Sequence, residues 1–90
     1  MRKIFVIVTY DVNEKRVNKV RKILKKYFTW VQNSVFEGEI TYGKLEKCKR
    51  ELFSVIEKDE DSVYFYEMEY KIVCNKKILG QEKNYDSVIL

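Results

Sequence analysis

Histidine and proline are absent from the 90-residue chain, glycine occurs three times and cysteine twice. Without histidine, a Ser-His-Asp triad and any imidazole-based proton transfer are excluded. Cys48 and Cys74 alone cannot complete a tetrahedral Cys/His zinc site within one chain. The scarcity of proline and glycine excludes collagen-like and linker-rich architectures. Long hydrophobic runs are missing as well. The opening run Ile4 to Val8 is five residues long, shorter than the roughly seven to fifteen of a signal-peptide core. Nothing approaches the ~20 apolar residues of a membrane span. Two distant cysteines without a secretory signal read as free thiols of a reducing compartment, so the expected location is cytoplasmic. Chemistry in this chain therefore falls to carboxylates, hydroxyls, amines and backbone groups.

What is present is a globular composition of modest size. An apolar fraction of 46% is too high for a disordered chain, and 36% charged residues are spread too evenly for a low-complexity tail. Residues 1–90 read as a single domain with one thin core, since a chain of this length buries only about two-thirds of its unfolded surface. The net charge of +4 hides an asymmetry: residues 1–36 hold nine Lys and Arg against two acidic residues, a net of +7, and residues 37–90 carry −3. A basic first half points to a polyanionic partner, although a solvated helix face gives the same pattern.

Residues 3–10, KIFVIVTY, form a β-branched and aromatic run without helical spacing, which predicts a central strand. Asp11 and Asn13 then favour a turn or a helix N-cap. From Glu14, Val17, Val20, Leu24, Tyr27 and Phe28 recur at three- and four-residue spacing, predicting an amphipathic helix. Residues 30–41 read as one second strand, in which Gly38 suggests a bulge or a close backbone approach. A second helix is expected over 43–58, on the stripe Leu45, Cys48, Leu52, Val55 and Ile56. Asp59-Glu60-Asp61-Ser62 reads as a turn, 63–70 and 71–79 as strands, and 84–90 as a closing β-prone run. The order predicts an α+β, ferredoxin-like (βαββαβ-type) antiparallel sheet with two helices on one face and an extra C-terminal strand. The other face is rich in tyrosine and asks for a partner. A homodimer is expected, with residues 81–90 pairing with the partner subunit.

Three constellations bear on chemistry. Asp11 ends the first strand ahead of a basic helix. Alone it is a poor Mg²⁺ site, but two copies facing each other across a twofold axis supply two carboxylates, enough to hold a metal that polarises a phosphodiester. The ordinary alternative is that Asp11 caps the helix. Gln32, Ser34 and Phe36 share one side of their strand; on their own they read as an ordinary strand with a core ring. Lys15, Arg16, Lys19, Lys22 and Lys26 trace one side of the first helix at a spacing that suits phosphates. Such contacts give affinity and salt dependence rather than sequence readout. Base-reading signatures and glycine-rich phosphate loops are absent.

Tyr10-Asp11-Val12 closing an apolar strand, Lys15-Arg16-Val17 entering the first helix, and Val31-Gln32-Asn33-Ser34-Val35-Phe36-Glu37-Gly38 occur in that order. Together they resemble the CRISPR-associated Cas2 family, the small nuclease-like subunit of the spacer-acquisition machinery. Residues 3–40 carry the stronger part of the resemblance. It implies a ferredoxin-like homodimer with crossing C-terminal strands and Mg²⁺ held by Asp11 and its twin. It also implies metal-dependent cleavage of RNA or DNA, and a bridging role between integrase-like subunits holding double-stranded nucleic acid. By the family pattern Tyr10, Asp11, Arg16, Ser34 and Phe36 match positions linked to activity or interface geometry. The alternatives are an mRNA-cleaving toxin-type ribonuclease of the same fold and a regulatory ferredoxin-like domain without catalysis.

Overall fold

Alternation of buried and partly buried residues along Lys3–Asp11 marks β1, a strand with Ile4, Val6, Val8 and Tyr10 turned inward. The computed structural model describes residues 2–69, together with Leu79 and Gly80. Five further elements follow β1: α1 (Glu14–Tyr27), β2 (Thr29–Gln32), β3 (Val35–Thr41), α2 (Tyr42–Phe53) and β4 (Ser62–Met68). The strands form one antiparallel sheet in the order β2-β3-β1-β4, the ferredoxin-like arrangement. The expected strands over 71–79 and 84–90, and the pairing of 81–90, lie outside the described residues.

Both helices cover the same face. Val20 and Leu24 of α1 and Leu45, Cys48 and Leu52 of α2 bury against Ile4, Val6, Val8, Tyr10, Phe28, Phe36 and Ile40. Each helix starts on a side-chain cap: the Asn13 amide oxygen accepts from the Lys15 N–H at 2.9 Å, and the Thr41 hydroxyl accepts from the Lys44 N–H at 3.3 Å. Asn13, not Asp11, is thus the cap of α1, and the capping alternative for Asp11 fails because Asp11 is still in β1, paired with Ser62.

Two further expectations need correction, and a third resolves between its two alternatives. Residues 30–41 are not one strand but the hairpin β2–β3, closed by Asn33 and Ser34. Asn33 takes φ of 44°, a left-handed conformation that asparagine tolerates better than most residues. The bulge is not at Gly38, which stays in register opposite Val6; the register shifts instead between Trp30 and Gln32. What Gly38 does supply is close approach, since a Cβ there would stand 3.6 Å from the Phe28 ring. Finally, α2 ends at Phe53 rather than at 58, and Val55 and Ile56 pack on the core from the turns beyond it.

Candidate functional site

The two-residue period of β1 sends neighbours to opposite sides of the sheet. Tyr10 points toward the helices and is buried, whereas Asp11 is exposed at the strand end on the side that the helices leave open. Cross-strand partners extend this open side: Phe5 lies opposite Met68, Ile7 opposite Tyr66, and Thr9 opposite Tyr64. Tyr64 and Tyr66 stack with ring centroids 6.5 Å apart and remain 57% and 53% exposed. Asp11 therefore stands at the rim of an aromatic and apolar sheet face.

Of the other residues expected to act with Asp11, Tyr10 and Phe36 lie in the core, Arg16 on α1 and Ser34 in the hairpin turn. Phe36 is fully buried, its ring 6.2 Å from that of Tyr10, and both belong to the core. Burial pushes the Tyr10 phenol above its ordinary pKa, and the charge of Arg21 draws it partly back. Ser34 sits in the hairpin turn, where its carbonyl accepts from the Tyr10 N–H at 3.2 Å.

Arg16 is held by a group that the sequence reading assigned to a plain turn. The Asp61 side chain is fully buried and accepts from Arg16 Nε at 2.6 Å and Nη2 at 3.1 Å. It also accepts from the backbone N–H groups of Asn13 and Glu57, both at 2.9 Å. The Arg16 guanidinium, followed by the Glu57 and Asn13 N–H groups, holds the Asp61 carboxyl well below the usual carboxylate range, despite desolvation. Asp61 thus ties the β1–α1 junction, two residues past Asp11, to the loop that leads into β4. The sequence signal was faint, an acidic residue among three in a row, and only burial distinguishes it.

The basic face of α1 divides in the same way. Lys15, Lys19 and Lys22 are exposed, and none of them has an ion-pair partner among the described residues. Lys26 instead pairs with Glu51 of α2, which also accepts from the Tyr27 hydroxyl. That hydrogen bond pushes the Tyr27 phenol up to about 12.

Among the described residues no cluster of three Asp, Glu or Cys side chains could hold a metal ion. The hard, exposed carboxylate oxygens of Asp11 suit Mg²⁺ in kind, but one protomer supplies a single carboxylate, and the site fits only with a second copy.

The sequence matches the family of CRISPR associated protein Cas2 over residues 4–75. This chain belongs to the Cas2 family. It is 65% identical over 86 residues to the CRISPR-associated endoribonuclease Cas2 3 of Thermodesulfovibrio yellowstonii, covering 96% of this chain and 98% of that one. It is 54% identical over 85 residues to the CRISPR-associated endoribonuclease Cas2 of Thermotoga maritima, covering 94% and 98%. Among solved structures, a crystal structure of Cas2 superposes with a TM-score of 0.80 at 42% identity, covering 90% of this chain and 91% of that one. The Cas2 of Streptococcus pyogenes at pH 6.5 gives 0.64 at 34% identity, covering 93% of each chain. The Cas2 match runs from the second residue of β1 through β4, so the hairpin, the Asp61 bond and the open aromatic face all lie within the family region. No helix among the described residues is long and apolar enough to cross a membrane.

Proposed function

We propose that the protein acts in CRISPR adaptation as a homodimer that binds double-stranded nucleic acid, bridges integrase-like subunits and hydrolyses phosphodiester bonds with Mg²⁺. The observation that carries this reading is the placement of Asp11 at the rim of the helix-free sheet face. A twofold partner that covers Phe5, Ile7, Tyr64, Tyr66 and Met68 brings its own Asp11 toward the same rim, and burial of this apolar surface drives the pairing. Membership of a family whose relatives carry the name endoribonuclease supports the reading.

In this reading Asp11 and its twin hold Mg²⁺, which supplies charge stabilisation for the phosphodiester and a lowered pKa for water. The remaining work falls to the chain's own groups. Exposed Lys15, Lys19 and Lys22 draw in the phosphate backbone without reading sequence. Asp61, through Asn13 and Arg16, fixes the junction that carries Asp11, so the carboxylate is presented from a rigid strand end.

Asp11→Asn tests the reading. It is expected to abolish Mg²⁺-dependent cleavage of RNA and DNA while the sedimentation coefficient of the dimer and the affinity for a duplex stay unchanged. Equal cleavage by wild type and variant rejects the catalytic role, and a monomer at micromolar concentration rejects the dimer.

A further inference from the structure

The sheet register gives Asp11 a neighbour from the segment that sequence reading assigned to a plain turn. In the β1–β4 pairing Asp11 stands directly opposite Ser62, and Thr9 opposite Tyr64. Alternation along β4 sends Ser62 to the side of Tyr64 and Tyr66, so the Ser62 hydroxyl and the Asp11 carboxylate share the open face. Directly opposed residues of an antiparallel pair have Cβ atoms about 4.5–5.5 Å apart, close enough for both side chains to touch one small ion.

The place of Ser62 is fixed by the residue before it. Asp61 is buried and accepts hydrogen bonds from Arg16, Asn13 and Glu57. That anchor sets the start of β4 together with the β1–α1 junction, so the two strand ends hold Asp11 and Ser62 in register. Among the described residues, neither the Ser62 hydroxyl nor the Asp11 carboxylate has a hydrogen bond or an ion pair, so neither is spent on holding the fold. A neutral hard oxygen beside an anionic one is the donor chemistry of a small divalent cation. The same hydroxyl–carboxylate combination holds Mg²⁺ in phosphate-loop proteins.

We propose that Ser62 is a second residue of the Asp11 cation site, its hydroxyl adding a neutral oxygen beside the carboxylate in each protomer. The proposal rests on the Mg²⁺ reading above and extends it from one residue per protomer to two. Two carboxylates leave an octahedral ion short of ligands, and two hydroxyls reduce what water must supply without adding charge.

Binding of Mn²⁺ and Mg²⁺ to the full-length protein tests this without reference to cleavage, the first read by electron paramagnetic resonance of the free ion and the second by calorimetry. The wild type is expected to bind, and Asp11→Asn to lose the site. Ser62→Ala should weaken binding about tenfold, the lower end of the cost of removing a group that supports a metal site. Thr9→Val removes a hydroxyl two residues along the same face and should leave the affinity unchanged. Ser62→Thr and Ser62→Val share one shape and both suit a strand, so the pair isolates the hydroxyl: Thr keeps the affinity and Val loses it. Melting temperatures confirm folding, and if Ser62→Ala does not fold, the Thr and Val variants decide. Wild-type affinity in Ser62→Ala and Ser62→Val overturns the role of Ser62 and leaves the function reading standing, as does an equal loss in Thr9→Val. A wild type without Asp11-dependent cation binding overturns both.

Discussion

Phe36 sits at a position that the family pattern links to activity, yet its ring is fully buried between Val8 and Trp30, its cross-strand partners on either side. A buried ring touches no substrate, so its effect on activity must pass through stability. Phe36→Leu puts a number on this. The smaller side chain leaves a cavity of about 25 Å³, which at about 24 cal/mol per Å³ costs about 0.6 kcal/mol. The aromatic contact with Tyr10, at 6.2 Å and tilted by 38°, is also lost, a further ~0.5–1.5 kcal/mol. The sum, about 1–2 kcal/mol, lowers the melting temperature of a domain this small by roughly 5–15 °C. Phe36→Ala removes the whole ring for about 3–5 kcal/mol, a large share of the total stability of such a domain. Circular dichroism melts at fixed protomer concentration give the shift, and duplex affinity is then measured well below the melting range of Phe36→Leu. Unchanged affinity there, with the melting point lowered, is the expected result. An unshifted melting temperature combined with lost binding or cleavage refutes the argument, because it places the ring in contact with substrate.

Two further predictions follow from buried ionisable groups. Asp61→Asn should lower the urea midpoint at pH 7, and the gap from wild type should narrow as the pH falls. The folded-state pKa of Asp61 is depressed, so its contribution is present above the ordinary carboxylate pKa of about 4 and is lost as acid protonates the folded form. A gap of the same size at pH 7 and pH 2.5 contradicts this. The Cys48 thiol is pushed up to about 12 by burial, so in a Cys74→Ser background Ellman's reagent at pH 8 should label it only after denaturation. Labelling of the native protein at the rate of a free thiol overturns the placement.

The sequence carried the helices and β1 because their periods are strong and uninterrupted. Val20, Leu24, Leu45, Cys48 and Leu52, all read from spacing, are all buried in the core. The β2–β3 hairpin was hidden because its turn, Asn33-Ser34, lies inside an alternating run, and a two-residue turn with a register shift leaves that alternation nearly intact. The candidate site was legible one residue at a time but not as a constellation. Asp11 and the lysines follow from sequence, whereas the bond that ties Arg16 to Asp61 joins positions 45 residues apart. No local pattern reports such a contact.

The adjacency of Tyr10 and Asp11 constrains how binding and cleavage can relate. The two residues are neighbours in the chain, but the pleat of β1 places one among the helices and the other on the open face. The exposed lysines belong to α1, on the covered side, whereas Asp11 looks toward the side that a second copy would cover. In the proposed reading, a backbone held by Lys15, Lys19 and Lys22 thus lies across the sheet from the carboxylate of the same protomer. Holding a duplex and cutting a strand then require two different placements of nucleic acid on the dimer. A protein that mainly holds can lose Asp11 without losing affinity, and one that mainly cuts tolerates the replacement of Lys19 and Lys22 by Ala. Measuring both variants in both assays separates a scaffold from a nuclease. Only a loss of both activities by each variant would put the two functions on one surface, against the geometry of β1.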